Sequence, residues 1–591
     1  MNRLLLDAQA LARARNFAAA AELCRKSIAR GEDVALANRM LASCLHDLGV
    51  ALWLEGREDA AEQQFRAAIA ADPRHADAMN NLGAILQLAR RHGEAIALYR
   101  QALQADPANL RVLENLAKLQ QHLGQLAEAS ATLLKLAELT APNGAAYLIR
   151  EALLIPKIAP DAHYAARLRE ALPAKLSAIE ASAARMPSPL AFPSTYFPLS
   201  YHGIGNKALL QQLARLHLKV APSLDWTAPH VRRWAPPQGR TKIGLASRFF
   251  RGHSIGNTTR GLVEQLDRST HEVFLIRLGT LEPDEMAALM DQSADHVITL
   301  PYSDLPKARQ IVAQLGLDIL FYQDIGLEPL SYLLAFSRLA PVQCTSFGHP
   351  DTTGIPNMDY FISSTNYELD GAEADYSERL ILIPDAGTLS YYHRPPPASA
   401  RRRESFGLAA TDRVYLCPQA LYKIHPAMDA IFARILAMDA QAKIVLIDPR
   451  DEELRPALER RLSMSRVLFI DSLPYQDFLA LIACCDVMLD TLHFNGQNTN
   501  LEAFAMGVPV VTLRGRLQRE RHTYGMYRAM GFMDLVAGTP EQYVQLALRV
   551  AADAAYRRQC SARIVESATV LFENRDFVRN CEAAFRRMLE A

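Results

Sequence analysis

The sequence predicts an α + α/β chain in which an N-terminal helical repeat array precedes two lobes built on parallel β-sheets. Three observations predict it. Small, apolar and proline positions recur at a 34-residue period in the first quarter of the chain. From Thr241 onward the texture changes to short β-rich runs separated by helical stretches, the pattern of a parallel sheet with both faces covered. Two proline-rich breaks, a Pro-Pro-Gln-Gly run before Arg240 and HRPPPASARRR at 393–403, divide the remainder.

The repeat comes first. Pro73 and Pro107 each close a helix, 34 residues apart, and the same offset relates Leu48/Gly49 to Leu82/Gly83 and Leu116/Ala117. It also relates Ala61/Phe65/Ala68 to Ala95/Tyr99/Ala102, with Ala129/Leu133 following. Small residues facing aromatic ones at one period resemble the tetratricopeptide pattern, in which the two helices of a repeat pack closely. Two repeats are expected to be regular, a third at about 109–142 degenerate, and the helices before residue 41 a divergent start. The array is assigned to residues 1–142. A helical, proline-dotted connector follows over 143–238.

The two lobes are expected at 239–395 and 404–591. KIGLAS, HEVFLIRL, HVITLP, DILFYQD, VQCTSFG, YFISS and RLILIP supply strands to the first. RVYLCPQ, KIVLID, RVLFID, DVMLD and VPVVTL supply the second, whose terminal helical region starts near Pro540. Both read as Rossmann-like.

A chain of 591 residues exceeds what one core serves, and half of it is hydrophobic, so burial is not limiting. Lys+Arg and Asp+Glu each number 64, which leaves no electrostatic footprint for nucleic acid or an anionic membrane. The eight cysteines lie in apolar contexts without CxxC or a nearby histidine at ligand spacing, and read as reduced core thiols. No apolar run is long enough to span a bilayer, and the start MNRLLLDAQALARARNF reads as a first repeat helix rather than a leader. The cytoplasm is the expected compartment.

The most informative stretch is DTLHFNGQNTNLEAFAMGVPVVTL at 490–513. An apolar strand at 487–489 opens into a polar loop, a helix and a second strand, which aims helix N-terminal amides at an anion. Asn495, Gln497, Asn498, Thr499 and Asn500 add neutral donors or acceptors. Glu502, expected in the first helical turn, is suited to vicinal hydroxyls. That combination suits a sugar nucleotide; an ordinary crossover capped by Thr499 or Asn500 is the competing account. Other polar clusters follow strands: Arg248 to Asn257, Gln323 to Gly326, Gly348 to Gly354, and Gln419 to Lys423.

SFGHPDTTGIPNMDYFIS, CPQALYKIHP and the 490–513 segment, in this order and behind tetratricopeptide repeats, resemble the signature segments of the O-GlcNAc-transferase family. The resemblance implies a GT-B pair of lobes and an inverting, metal-independent transfer from a UDP-sugar to a polypeptide held by the repeats. No cofactor is implied, the UDP-sugar being a substrate, and no HxH, DxD or HExxH spacing suggests a metal. Lys423 matches the family lysine on the donor diphosphate, and Gln419 a neighbouring glutamine, although Ala420 holds the strict offset. Gln497-Asn498-Thr499 stand where the family has His-Thr-Thr. Glu502 falls where an acidic residue holds the ribose. Leu473 lies in the segment that reads uracil, with Phe478 at the stacking position. His253 matches a histidine facing donor and acceptor, a general-base candidate, and Asp324 is a second. His349, Thr352 and Thr353 are expected to shape the acceptor side. The sugar, Ser/Thr against Asn acceptor, the target and the oligomeric state stay open, as do a repeat scaffold with a retired transferase and a transferase for small molecules.

Overall fold

The computed structural model describes residues 2–191, 196–282, 284–384, 387–462 and 464–591. The part of the proline-dotted connector at 192–195 lies outside them. The chain forms two compact units, 1–154 and 155–591.

The first unit is a run of helix hairpins: α1 (Arg3–Arg13) with α2 (Phe17–Ala29), α3 (Val34–Leu54) with α4 (Glu58–Ala71), α5 (Ala76–Leu88) with α6 (His92–Ala105), and α7 (Leu110–His122) with α8 (Leu126–Leu139). α9 (Ala145–Ala152), placed by the sequence reading in the connector, packs on α8 and belongs to this unit. The 34-residue period has a steric cause. A Cβ on Gly49 would lie 2.7 Å from the Phe65 ring, and one on Gly83 2.5 Å from the Tyr99 ring, so each glycine admits a fully buried aromatic from the partner helix. At the third pair Ala117 and Leu133 replace that couple, both buried, and the hairpin still forms. Adjacent repeats are tied by Asn115 Nδ2 donating to Asn80 Oδ1 at 3.0 Å. Asn16, His75 and Asn109 cap α2, α5 and α7 through their side chains.

The second unit opens with α10 (Tyr164–Ala181) and α11 (Lys207–Val220). The first lobe then alternates β1 (Thr241–Ser247), α12 (Ser254–Gln265), β2 (His271–Leu278), α13 (Glu285–Ser293), β3 (His296–Leu300), α14 (Leu305–Leu315), β4 (Ile319–Tyr322), α15 (Pro329–Ala335) and β5 (Val342–Ser346), and closes with β6 (Tyr360–Ser364) and β7 (Arg379–Ile383). The second lobe has β8 (Arg413–Cys417), α16 (Ala427–Met438), β9 (Ala442–Asp448), α17 (Leu454–Leu462), β10 (Val467–Asp471), α18 (Tyr475–Cys484), β11 (Val487–Leu489), α19 (Asn498–Ala505), β12 (Val510–Leu513), α20 (His522–Met530) and β13 (Val536–Ala537). α21 (Pro540–Ala552), α22 (Ala554–Ser567) and α23 (Arg575–Glu590) end the chain.

Among the described residues the sheets run in the orders β3-β2-β1-β4-β5-β6-β7 and β10-β9-β8-β11-β12-β13, and the paired strands are parallel. The order reverses between β1 and β4 and between β8 and β11. Crevices at such reversals, outside the carboxyl ends of the strands, are where open α/β sheets take ligands. The terminal helices divide: α21 and α22 pack on the second sheet, whereas α23 returns to the first and buries Phe577, Val578, Cys581, Ala584, Phe585 and Met588 in its core. This departs from the expectation that the terminal helices stay with the second lobe, because an amphipathic stripe does not say which sheet it covers.

Candidate functional site

Among the described residues a cavity of about 220 Å³ lies between the two lobes, lined by the loops after β1, β4, β5, β8 and β11. Both reversal points therefore open onto it.

From β8 the chain enters a 3-10 turn at Leu421–Lys423, pinned by the fully buried Leu421, and Lys423 projects into the cavity. Its ammonium sits 4.4 Å from the centre of the Phe494 ring. Burial pulls the Lys423 pKa down to about 8, opposed by the Asp490 carboxylate. His522, also lining the cavity, is held neutral by burial and by the adjacent Lys423, with its pKa near 3.

Asp490, at the end of β11, organises the loop that follows. Its Oδ1 accepts the Gly496 N–H at 2.8 Å, and its Oδ2 accepts the hydroxyls of Thr512 at 2.8 Å and Thr523 at 2.5 Å. Asn500 donates to the Gly496 carbonyl at 2.8 Å and to Thr523, and accepts from Gln419 Nε2 at 3.4 Å. Gln419 and Asn500 are thus buried braces of the loop. Neither lines the cavity. Asn495, Gln497, Asn498 and Thr499 do line it. Helix α19 starts at Asn498, with Gln497 before it and no side-chain cap among the described residues, so neither Thr499 nor Asn500 caps the helix. The helix therefore begins at the cavity wall, where its first two residues, Asn498 and Thr499, lie, and the first amides of a helix have no intrahelical acceptor. Gln497 Nε2 and Asn495 Oδ1 are buried without a partner among the described residues.

Glu502 lies in the second turn of α19, one turn later than expected, because the helix starts earlier than the sequence suggested. It is buried beside Tyr475, and burial raises its pKa to about 7, the Tyr475 hydroxyl acting in the opposite direction. Leu473 and Phe478 flank Tyr475 and are half-buried against the core of the second lobe. None of Glu502, Tyr475, Leu473 and Phe478 lines the cavity.

On the facing wall His253 precedes α12 and caps it: its Nδ1 accepts the Ile255 N–H at 3.2 Å, and the ring stacks on Phe249 at 4.4 Å. A ring nitrogen that accepts carries no proton, so the imidazole proton is on Nε2 and the open edge is a donor. Burial, then Arg251, lowers the His253 pKa. Asn498 Nδ2 crosses between lobes to the Ser254 carbonyl at 3.3 Å.

Asp324 is fully buried and does not line the cavity. Its Oδ2 accepts from Ser247 Oγ at 2.8 Å and the Arg248 N–H at 2.9 Å, which fastens the loop after β4 to the end of β1. Burial, then the neighbouring Glu328, raises its pKa to about 7. His349 is buried, with Nε2 3.1 Å from Ser200 Oγ. Thr352 donates to Glu378 Oε2 at 2.7 Å, and the Thr353 N–H to Glu378 Oε1 at 2.8 Å. Of this segment it is Phe347, Gly348 and Pro350 that reach the cavity.

The sequence reading missed an aromatic wall. Phe197 and Tyr201 of the connector and Tyr422 and Phe494 of the second lobe line one side, with Tyr201 5.0 Å from Phe494 and 5.1 Å from Tyr422. The connector residues carried no motif; Phe494 lay in plain view inside the 490–513 segment.

Comparison with known proteins gives a consistent picture. The sequence model of glycosyl transferase family 41 matches residues 162–394 and 395–581, and tetratricopeptide-repeat models match 41–71 and 86–153. A probable UDP-N-acetylglucosamine–peptide N-acetylglucosaminyltransferase SPINDLY of Petunia hybrida is 28% identical over 271 residues, 42% of this chain and 28% of that protein. A UDP-glucose:protein N-beta-glucosyltransferase of Actinobacillus pleuropneumoniae is 26% identical over 271 residues, 44% of this chain and 42% of that protein. The chain thus spans less than half the length of these relatives. A mutant of the Thermobaculum terrenum O-GlcNAc transferase superposes with a TM-score of 0.65 at 23% identity, covering 94% of this chain and 98% of the other, which speaks to the fold.

Proposed function

The chain belongs to glycosyl transferase family 41, and from that premise we propose that it transfers a hexose from a UDP-sugar to a polypeptide side chain. The observation that carries the reading is the concentration, on the second-lobe wall of one cavity, of the Lys423 cation, the uncapped start of α19 and the unpartnered Gln497 amide. Together they form a receptor for a diphosphate.

In this reading an acceptor nucleophile attacks C1 of the sugar from the first-lobe side, the C1–O bond to UDP breaks with inversion, and the proton lost by the acceptor passes to an oxygen of the departing diphosphate. Lys423, the amides at the start of α19 and Gln497 stabilise the charge that develops on the departing diphosphate. Glu502 and Tyr475 take the ribose, with Leu473 and Phe478 beside the base. His253 acts as a hydrogen-bond donor through Nε2, not as the base the family resemblance suggested, because its Nδ1 lone pair is engaged in capping α12. Asp324 supports that loop from behind. A serine or threonine hydroxyl is the favoured acceptor; an asparagine amide is the second reading, in keeping with the glucosyltransferase relative. The repeats hold the acceptor polypeptide.

The test compares wild type with Lys423→Met, using UDP-N-acetylglucosamine and UDP-glucose with acceptor proteins read by mass spectrometry. Removing one preorganised charge is expected to lower kcat by about 100- to 1,000-fold. Undiminished turnover in the variant would remove Lys423 from the diphosphate. UDP binding without transfer by the wild type would instead favour the repeat-scaffold reading.

A further inference from the structure

The two walls of the cavity belong to different lobes, and one buried ion pair joins them. Arg519 Nη1 lies 3.0 Å from Asp351 Oδ2, with side-chain exposures of 2% and 5%. The same carboxylate oxygen accepts from Ser200 Oγ at 2.9 Å and from Asn206 Nδ2, and Arg519 Nη2 donates to the Ile204 carbonyl at 2.7 Å. First lobe, connector and second lobe therefore share a single buried polar network.

The pair is attached to the cavity at both ends. The Arg519 carbonyl accepts the N–H of Asn495, which lines the second-lobe wall. Asp351 directly follows Pro350, which lines the first-lobe wall. Other arginines of the same segment also cross between lobes: Arg516 to Asp375 at 2.6 Å, Arg521 Nε to the Tyr367 carbonyl at 2.7 Å, and Arg528 to the Thr365 carbonyl at 3.2 Å. Arg516 is 59% exposed, where water competes with an ion pair. Arg519 has almost no water, and loss of its partner would leave a charge buried and uncompensated.

We propose that Asp351 and Arg519 form a positioning pair for the transfer reaction, fixing the register of the loop at 347–350 against the donor-side loop at 494–499. The proposal rests on the reading of this cavity as the transfer site. A carboxylate–guanidinium link that is buried and hydrogen-bonded at both ends sets distance and angle at once. Reaction rate responds steeply to that register, while nucleotide affinity, supplied by one lobe, does not.

The test uses the full chain with Asp351→Asn, Arg519→Met, both together, and Arg516→Ala as the exposed control. Each single variant is expected to lose about 100-fold in kcat and to keep the Kd for UDP within about threefold. The double variant, with no stranded charge, is expected to regain the melting temperature but not the rate. Arg516→Ala should match wild type. A rate that returns with stability in the double variant, or UDP affinity that falls in step with kcat, would overturn the proposal. A second readout does not depend on turnover: UDP should slow amide exchange at 347–353 in wild type and not in the double variant, and equal slowing in both would also overturn it. A wild type that binds UDP and slows exchange at 347–353 yet transfers no hexose would defeat the proposed function while leaving the positioning pair intact.

Discussion

At the scale of single residues the site is governed by how burial treats charge. Lys423 has its pKa lowered from 10.5 to about 8 by burial, so the folded chain binds fewer protons than the unfolded one between those values. Its contribution to stability therefore rises with pH across that window, whereas affinity for an anion runs the other way. Below about pH 8 the ammonium is already formed and UDP affinity should be flat. Above it, binding must first take up a proton, and affinity should fall by up to about tenfold per pH unit. Calorimetric titration of UDP from pH 7 to 9.5 checks this against Lys423→Met; the same slope in the variant would assign the titration to another group. His253 offers a second discrimination. If its open Nε2 donates, His253→Gln keeps a donor at nearly the same place and should retain about tenfold more activity than His253→Ala. Equal loss in both would restore the general-base role. Lys423 could be proposed from sequence because its motif is local. The orientation of Asp324 could not, since a carboxylate at a strand end points to the cleft or into the sheet depending on contacts such as Ser247, 77 positions away.

At the scale of elements the repeat period was legible because its cause is local to each hairpin. Gly83 and Tyr99 occupy one contact, and the sequence displays both members at a fixed offset. Gly83→Ala should therefore destabilise the repeat unit by about 1–3 kcal/mol, since the added Cβ would lie 2.5 Å from a ring with no room to move. Tyr99→Leu in the same background should return part of that loss. Urea unfolding of wild type and the two variants measures it, and an unchanged midpoint for Gly83→Ala would detach the glycine from the packing. The β11–α19 loop was legible in composition and less so in detail. Its polar residues look alike in sequence, yet Asn495, Gln497, Asn498 and Thr499 face the cavity while Asn500 turns inward to Thr523. The deciding partners, Asp490, Thr512 and Thr523, come from three separate elements. The same holds for Phe197 and Tyr201, which follow a connector segment with no periodic signal of its own.

At the scale of the whole molecule the second unit is tied together by chain that leaves one lobe and serves the other. α23 follows the second lobe in sequence but completes the core of the first, where Phe577, Val578, Phe585 and Met588 are nearly solvent-free. At about 1.5–3 kcal/mol for each large apolar side chain, these four contribute on the order of 6–12 kcal/mol, comparable with the entire stability of a domain. Deleting the chain from residue 575 should accordingly damage the lobe that lies farther away in sequence. Amides of β1 and β4 should lose their protection against hydrogen exchange, while those of β8 and β9, covered by α16 and α21, should keep it. Loss of protection in the second lobe with the first left intact would mean that α23 is held by its own lobe. The stripe of apolar residues in α23 announced that a partner exists; only the fold identifies it, because the stripe fits either sheet and the choice is made by where the preceding chain at 568–574 delivers the helix. The consequence reaches the cavity: its first-lobe wall at 347–350 follows β5, a strand of the sheet whose core α23 completes, so the truncated chain should lose transfer even though every donor-binding group proposed for UDP remains in place.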